Sequence, residues 1–478
     1  MNLANVANRL ASFFSYDAIE SSGRRKAITR QPTREDALLT GSKRRKLQET
    51  AADLSRNLSL AAWMVRRHLD YVSQFEFHGR HEDDRLNDKV ERLMWEDSRP
   101  SQCDVAGRFN REKMFRVAEA RRVLDNDTFL VKLRDGRLQG LQGDLIRDPA
   151  GEGRTSEIVD GVRLGRYGRH LSYAAHKRES NNKVVFAKWL AARNVIHYGF
   201  FDRYSNDQVR GVSPISSALN PLRDVYENFD YALAKAKVSQ LFAISFYRNA
   251  EDGIGYGEED EAGPLGDEDG DGEDEPQGYK VSFADGPIQL DLDPGDRAEF
   301  LESKQPSSEF QDFTKLVIQV ALKALDLPYS FYDESATNFF GSRAAWLHYE
   351  RSCKDKRDDQ IELRRNYTVW KMQGWIKSGR LTLPRGMTIA DYDFEWVPIG
   401  MPWFDPLKEI NGTLQAIKGG LDNPQRACRS TGSDFYDNVD AIAKATQYAE
   451  AKGVSLEFAV VNSAIAEAQS KDQPEDEE

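Results

Sequence analysis

Residues 306–378 read PSSEFQDFTKLVIQVALKALDLPYSFYDESATNFFGSRAAWLHYERSCKDKRDDQIELRRNYTVWKMQGWIKS, and the rest of the chain is arranged around them. Ser307 and Ser308 are N-cap candidates behind Pro306, and Ser308 with Gln311 has capping-box spacing. Apolar residues recur at Phe310, Phe313, Leu316, Val317, Val320, Ala321, Ala324 and Leu325. That three-and-four rhythm predicts a helix with one buried face. Pro328 stops it, because the ring and the missing N–H disfavour continuation. The aromatic loop YSFYDESATNFF, residues 329–340, follows. From Ser342 to about Lys377 no proline interrupts a charged, Trp- and Arg-rich segment, which predicts one helix. At about 1.5 Å per residue it spans roughly 50 Å, longer than a typical globular helix. Such an arrangement suits a strut better than a catalytic pocket.

The chain has 478 residues, 40% hydrophobic and 30% charged, so it can bury a substantial core divided among two to four domains. A formal net charge of −12 argues against a protein that simply coats nucleic acid, which wants a basic surface. Cys103, Cys353 and Cys428 are odd in number and far apart, with no CxxC, as in a reducing compartment. No run of about 18 apolar residues predicts a membrane span. The first residues, MNLANVANRLASFFSYDA, lack a signal-peptide pattern, so the chain is expected in the cytosol when made.

Residues 1–47 carry ten Lys or Arg against four Asp or Glu and read as a flexible basic arm, or else as a solvated approach to a helix. A helix is expected from about Leu47 to Val72, with further helices in 84–122. Strands are expected at Phe129–Leu133 and Leu138–Leu145 around an Asp135-Gly136 turn, then at Ser156–Leu164, Leu171–His176, Val184–Phe186 and Val195–Phe200. The first 205 residues therefore read as an α+β domain. A long helix follows Pro214, striped by Ile215, Leu219, Leu222, Val225, Phe229, Leu233 and Ala236, with Pro221 kinking or restarting it. A strand at Phe242–Tyr247 leads into residues 251–275, which hold thirteen Asp or Glu and no Lys or Arg. That composition predicts a disordered acidic insertion, here bounded as 250–278. Strands are expected again at Tyr279–Phe283, Ile288–Leu292, Leu381–Leu383 and Phe394–Val397, and helices at Leu407–Ile417, Phe435–Ala451 and Leu456–Gln469. The acidic tail SKDQPEDEE closes the chain.

Catalytic constellations fail one by one. No Gly-Lys dipeptide occurs, so there is no phosphate-cradling P-loop, and GxGxxG, GxSxG and HExxH are absent. His78 and His81 with Asp83 and Asp84 could be imagined as a metal site, but a surface turn is the plainer reading of FEFHGRHEDD. Asp267, Asp269, Asp271 and Gly272 open like a calcium loop, yet Gly278 stands where the bidentate Glu belongs. Aromatics of the 329–340 loop could stack on bases, but such rings more often anchor a loop on helices. The basic residues from Arg343 to Lys377 are balanced by acids and read as a solvated or intersubunit face.

Four stretches together resemble a known family. They are KRRKLQETAADLSRNLSLAAWMVRRHLDYV, CDVAGRFNREKMFRVAEARRVLDNDTFLV (103–131), residues 193–238 with the signature Arg210-Gly211-Val212-Ser213-Pro214, and residues 325–351, where Asn338–Trp346 resembles an NYSSARAA-type segment. In this order the chain resembles a portal protein of a tailed bacteriophage, in the lambda-like branch, over most of residues 40–400. The C-terminal GGLDNPQRACRSTGSDFYDNVDAIAKATQYAEAKG resembles that family's closing helices.

The resemblance implies a portal fold of class α+β. Its parts would be the arm 1–47, a wing (48–205 and 341–405), stem helices (206–241 and 306–328), a clip (242–305), a tunnel loop (329–340), and a helical crown with its tail (406–478). It implies a dodecameric ring at one capsid vertex, through which double-stranded DNA enters and leaves. Terminase, head–tail adaptor proteins, major capsid protein and scaffold are the implied partners, with no cofactor, no metal and no membrane. Assembly would take place in the host cytoplasm and the product would be a virion component. Ser335, Ala336, Thr337, Asn338, Phe339 and Phe340 would face the DNA, with Tyr329, Phe331 and Tyr332 anchoring the loop. An acidic wall suits sliding, since a basic one would hold phosphate by counterion release. The acidic insertion departs from the family and is expected to project outward, where repulsion is least. Two rivals stand beside this reading. A metal-dependent nuclease needs carboxylates on ordered strands, and another head-assembly protein such as an adaptor is usually shorter.

Overall fold

Leu58 is extended (φ −109°, ψ 112°) and splits the first long helical stretch into α1 (Gly41–Asn57) and α2 (Ser59–Val72). The single helix expected from Leu47 is therefore two, starting six residues earlier. The computed structural model describes residues 35–149, 157–201, 206–241, 244–248, 296–300, 308–336, 338–400, 405–454 and 456. Its residues fall into two units, Met1–Arg223 with Val317–Glu478, and Asp224–Leu316. Residues 1–34 lie outside the described ones, but 35–47 correct the expectation of a flexible arm. Glu35–Leu38 is a helical turn, and α1 carries Arg44 into the interior, 3% exposed and 3.2 Å from Asp160.

The larger unit mixes helices and antiparallel sheets. After β1 (Phe75–Gly79) come α3 (Asp84–Glu96) and α4 (Arg111–Asp125). Asp83 and Asn110 cap these two helices by accepting from Arg85 N (3.1 Å) and Lys113 N (2.8 Å). Then follow β2 (Asp127–Lys132), β3 (Leu138–Gln142), β4 (Ile158–Val159), β5 (Val162–Leu164), β6 (His170–Arg178), β7 (Val184–Ala191) and β8 (Val195–Gly199). One sheet has the order β3-β2-β8 and the other β4-β5-β6-β7. They share a core of Phe129, Val131, Ile146, Val162 and Tyr173. The strand expected at 156–164 is a hairpin, because Asp160 (φ 49°) and Gly161 (φ 78°) form a tight turn. The strand expected at 184–186 runs on to Ala191.

Pro214–Ser217 forms a 3-10 turn before α5 (Leu219–Leu241). Pro221 sits in the first turn of α5, where its missing N–H would have had no partner, so it restarts the helix without kinking it. Ile215, Leu219, Leu222 and Val225 are buried as expected, while Phe229 and Leu233 are exposed. In the smaller unit β9 (Ile244–Arg248) pairs antiparallel with β10 (Asp296–Phe300), a strand without a sequence signal. The acidic insertion 250–278, the calcium-loop match and the strands expected at 279–292 lie outside the described residues.

Helix α6 (Ser308–Leu322) tightens into a 3-10 turn and ends at Asp326 in the left-handed conformation (φ 61°), with Pro328 only following that stop. Its buried stripe is Thr314, Ile318, Ala321, Leu322 and Leu325, whereas Phe313, Leu316 and Val320, expected inside, are each 56% exposed. One helix carries two apolar stripes, and a single chain covers one of them.

Helix α7 (Phe339–Lys377) has 39 residues, about 58 Å of rise. Its C-terminal half buries Gln360, Leu363, Arg364, Tyr367, Thr368, Lys371, Met372 and Trp375 at helical spacing. The expectation of a solvated basic face fails here. Arg364 donates to Gln360 (2.6 Å), to the Ser73 carbonyl (2.9 Å) and to Glu112 (2.9 Å), and lies over Phe75 and Phe115. Lys371 sits 2.7 Å from Asp97, which also accepts from Trp375. After α7, 381–383 is not a strand, although Leu381 is buried. β11 (Phe394–Pro398) pairs with β1, so FEFHG is a strand rather than the surface turn expected for it. The chain continues through α8 (Pro406–Lys418), α9 (Pro424–Ser430), which has no clear apolar rhythm, and α10 (Phe435–Ala451). Most of the helix expected at 456–469 lies outside the described residues. Among those described, no helix is long and apolar enough to cross a membrane.

A buried ion pair ties these segments together. Arg210 donates to Asp127 through Nε (2.5 Å) and Nη2 (2.8 Å), both side chains being fully buried. Its remaining N–H groups reach the carbonyls of Gly143 (2.9 Å), Ile146 (3.1 Å) and Asp160 (2.8 Å). Burial alone would raise the Asp127 carboxyl, but the Arg210 guanidinium holds it well below the usual carboxylate range. A Cβ on Gly211 would lie 2.3 Å from the Asn126 carbonyl oxygen, so glycine is required beside the arginine. Ser213 N donates to Asn126 Oδ1 (2.9 Å), and Ser213 Oγ accepts from Ile215 N (3.2 Å) ahead of Pro214.

Arg210→Met is expected to destabilise the fold by about 3–5 kcal/mol, because it strands a buried carboxylate. In urea unfolding, Arg210→Met combined with Asp127→Leu should cost less than Arg210→Met alone. A second expectation concerns Asp125, which burial pushes up to about 6 against the opposing Arg121. The folded chain then holds this proton more tightly than the unfolded one, so the stability contributed is complete below about 3.8 and lost as pH rises through about 6. Asp125→Asn should stabilise the protein at pH 8 by up to about 3 kcal/mol and make no difference near pH 3, read by thermal unfolding across pH.

Candidate functional site

The loop after α6 is held at its root by a cation and along its first half by rings. Lys356 of α7 donates to Asp326 (2.7 Å) and to the Leu325 carbonyl (3.0 Å). Tyr329–Phe331 is a 3-10 turn that sets Phe331 among Tyr71, Trp346 and Tyr349, with ring centroids 5.2–5.7 Å apart. Tyr332 meets Trp63 edge-on at 5.9 Å and Tyr329 at 5.7 Å, although it stays 45% exposed. Arg357 Nε donates to the Tyr71 carbonyl (2.8 Å), so α7 also fixes the helix that bears these partners.

The second half of the loop is closed by short polar bonds. Asp333 Oδ1 accepts from Ser335 N (3.0 Å) and Ser335 Oγ (2.5 Å) at the start of a 3-10 turn, Glu334–Ala336. Thr337 lies outside the described residues. Asn338 is the N-cap of α7, its Oδ1 accepting from Gly341 N (2.7 Å). Helix α7 therefore begins at Phe339 instead of Ser342, and Phe339 and Phe340 are its first residues rather than loop. An Asn cap at this position accounts for the shift. Phe340 is 78% exposed and Phe339 46%, the latter beneath Lys408 Nζ at 5.9 Å. Arg343 reaches Glu409 of α8 at 3.4 Å.

Chemically, the loop 329–340 is polar and aromatic, with Asp333 and Glu334 its only charged side chains. Residues 327–342 contain no Lys or Arg of their own, the cations beside them being Lys356 at the root, Lys408 over Phe339, and Arg343. The imagined metal site at His78 and His81 is dispersed. His78 Nδ1 lies 2.9 Å from Asp437, whereas His81 Nδ1 accepts from Asp83 N and its ring stacks on Tyr392. Among the described residues, no three His, Cys, Asp or Glu side chains gather to hold an ion. Sequence reasoning noted Arg210 within its signature but not its partner. Asp127 is 83 positions away, and only its place before an apolar strand marked it.

Residues 22–357 match the family described as phage portal protein, lambda family. The chain belongs to that family. It is a portal protein and a virion component, of a family that is structural rather than enzymatic. The stretch Arg210–Pro214, with its buried arginine, lies within the matched span, which ends inside α7. Among solved structures, the chain is similar to one titled "Neck of empty GTA particle computed with C6 symmetry", at 13% identity and TM-score 0.46, covering 80% of this chain and 93% of that one. It is also similar to "Virion of native gene transfer agent (GTA) particle", at 13% identity and TM-score 0.43, covering 90% and 99%. "Neck of native GTA particle computed with C12 symmetry" gives 13% identity and 0.45, covering 80% and 93%. A comparison with curated proteins gives no match.

Unfolding measurements should separate the roles of the loop residues. Phe331→Ala is expected to cost about 2–3 kcal/mol through the lost ring contacts, and Asn338→Ala about 1 kcal/mol through the lost cap. Phe340→Ala, at an exposed position, should stay within about 0.5 kcal/mol of the parent.

Proposed function

We propose that this portal protein assembles as a ring, of twelve copies, around a channel that passes double-stranded DNA during packaging and ejection. The observation that carries the reading is the second stripe of α6. Phe313, Leu316 and Val320 stay exposed in one chain, and a neighbouring copy around a ring would cover them. In this reading the stem is 206–241 with 306–328, the clip 242–305, the wing 48–205 with 341–405, and the crown 406–478. Residues Ser335 to Phe340 form the channel rim, and Tyr329, Phe331 and Tyr332 hold it in place. A rim whose own residues carry no cation favours sliding of phosphate, because few counterions are released by contact. The clip would dock terminase first and head–tail adaptor proteins afterwards, while major capsid protein and scaffold would surround the ring during assembly in the host cytoplasm.

Negative-stain microscopy of the purified protein tests the ring directly. Round particles with a central hole are expected, and monomers or rods would overturn the proposal. Replacing Phe313 and Leu316 together by Ser should convert rings to monomers while leaving each chain folded by circular dichroism. Replacing Ser335–Asn338 by glycines should leave rings intact and lower the DNase-protected DNA per particle.

A further inference from the structure

One part of this acidic chain is strongly basic. Residues 157–194, the sheet β4–β7 with its turns, carry eight Lys or Arg against three Asp or Glu, while the whole chain has a net charge of −12. Asp160 is buried on Arg44 and Arg210, so it offers nothing outward. Arg178 pairs with Asp144, and Arg163 lies over the Trp189 ring at 4.2 Å. Arg166, Arg169, Lys177, Lys183, Lys188 and Arg193 are exposed and have no ion-pair partner among the described residues.

Three of these cations gather at one end of the sheet. The turn between β5 and β6 reads Gly165-Arg166-Tyr167-Gly168-Arg169, and β6 starts at His170. Ser172 pairs with Ala191, so β7 ends beside the start of β6, and Arg193 follows at the same end of the sheet as Arg169. Tyr167 stands at the tip, 90% exposed, with the Arg166 guanidinium 4.9 Å from its ring centre. Its backbone is left-handed (φ 62°), a conformation that costs a bulky residue about 1–2 kcal/mol and suits glycine. The fold thus holds an aromatic ring fully in solvent, at a strained position, between two arginines. Burial cannot account for that arrangement. An extended polyanion could, since arginines bind phosphate by paired N–H groups and an exposed tyrosine adds a hydroxyl donor and a packing face.

We propose that the Arg166–Arg169 turn, with Tyr167 and Arg193, is a second DNA contact, gripping the phosphate backbone of duplex DNA independently of the loop at 329–340. Lys177, Lys183 and Lys188 extend the positive surface along β6 and β7. Choosing DNA over an acidic protein rests on the function proposed above. The chemistry is the reverse of the cation-free rim: this surface gains affinity from released counterions.

Closed-circular duplex DNA tests the idea, because a circle cannot thread a ring. The full chain should bind it in a filter or mobility assay, with affinity falling steeply between about 50 and 200 mM salt. The triple variant Arg166→Ala, Arg169→Ala, Arg193→Ala should bind at least tenfold more weakly, with a log–log salt slope shallower by about 2–3. Tyr167→Gly should unfold at a higher temperature and still bind more weakly, which separates contact from folding. Unchanged binding by both variants would overturn the proposal, as would a circle that the parent does not bind or that polyglutamate displaces at equal charge. Microscopy of the same samples tells the two readings apart, since a chain that binds the circle without forming rings fails only as a channel.

Discussion

The larger unit depends on one buried ion pair, Asp127 with Arg210. Taking two such charges out of water costs several kcal/mol each, and the pair persists only because every donor finds an acceptor. Arg210 places five hydrogen bonds on three segments: two on Asp127, one each on the carbonyls of Gly143 and Ile146 in one turn, and one on the Asp160 carbonyl. Those carbonyls lie in turns outside the named strands, so the guanidinium does for the turns what a strand neighbour does for a strand. The chain just after β8 is thereby stitched to the first residues of β2, and α5 is launched from that fixed point through Ser213 and Pro214.

A second polar centre does the same for the long helix. Glu119 of α4 accepts from Arg122 (3.1 Å) and Gln360 (2.7 Å), lies 2.6 Å from His68 Nε2, and takes the Tyr198 hydroxyl. Burial opposes its charge, yet Arg122 keeps its carboxyl well below the normal range. With Arg364 and Lys371 it locks the C-terminal half of α7, while the first turns, from Phe339 to His348, bury no residue. One helix is thus a fixed base with an exposed tip. Asn338, Phe339 and Phe340 sit at that tip, and Phe331 packs against Tyr349 of the same helix.

Charge is also sorted along the chain. The loop 329–340 has two acids and no cation of its own, and the sheet β4–β7 has a cationic excess with a tyrosine held open beside an arginine. A net charge alone hides this sorting, because −12 averages over surfaces of opposite sign.

Local signals were legible where one residue type settles one backbone state. The proline positions, the Asp–Gly turn and the three-and-four rhythm placed most helices and strands, and the ordered motifs placed the family. What failed were choices among equally apolar or equally charged residues. Phe313 and Ile318 both fit a helix face, and only packing chose Ile318 for burial. Arg364 and Lys371 looked like solvated charge until their partners at Glu112 and Asp97 were brought within reach by the fold. Phe339 and Phe340 passed for loop until Asn338 was seen to cap them. Sequence by itself determined the elements and the family, because propensities, caps and motif order act over a few residues. Only the tertiary structure decided which charges are buried together, because a pair such as Asp127 and Arg210 is stable solely where distant turns supply the remaining acceptors.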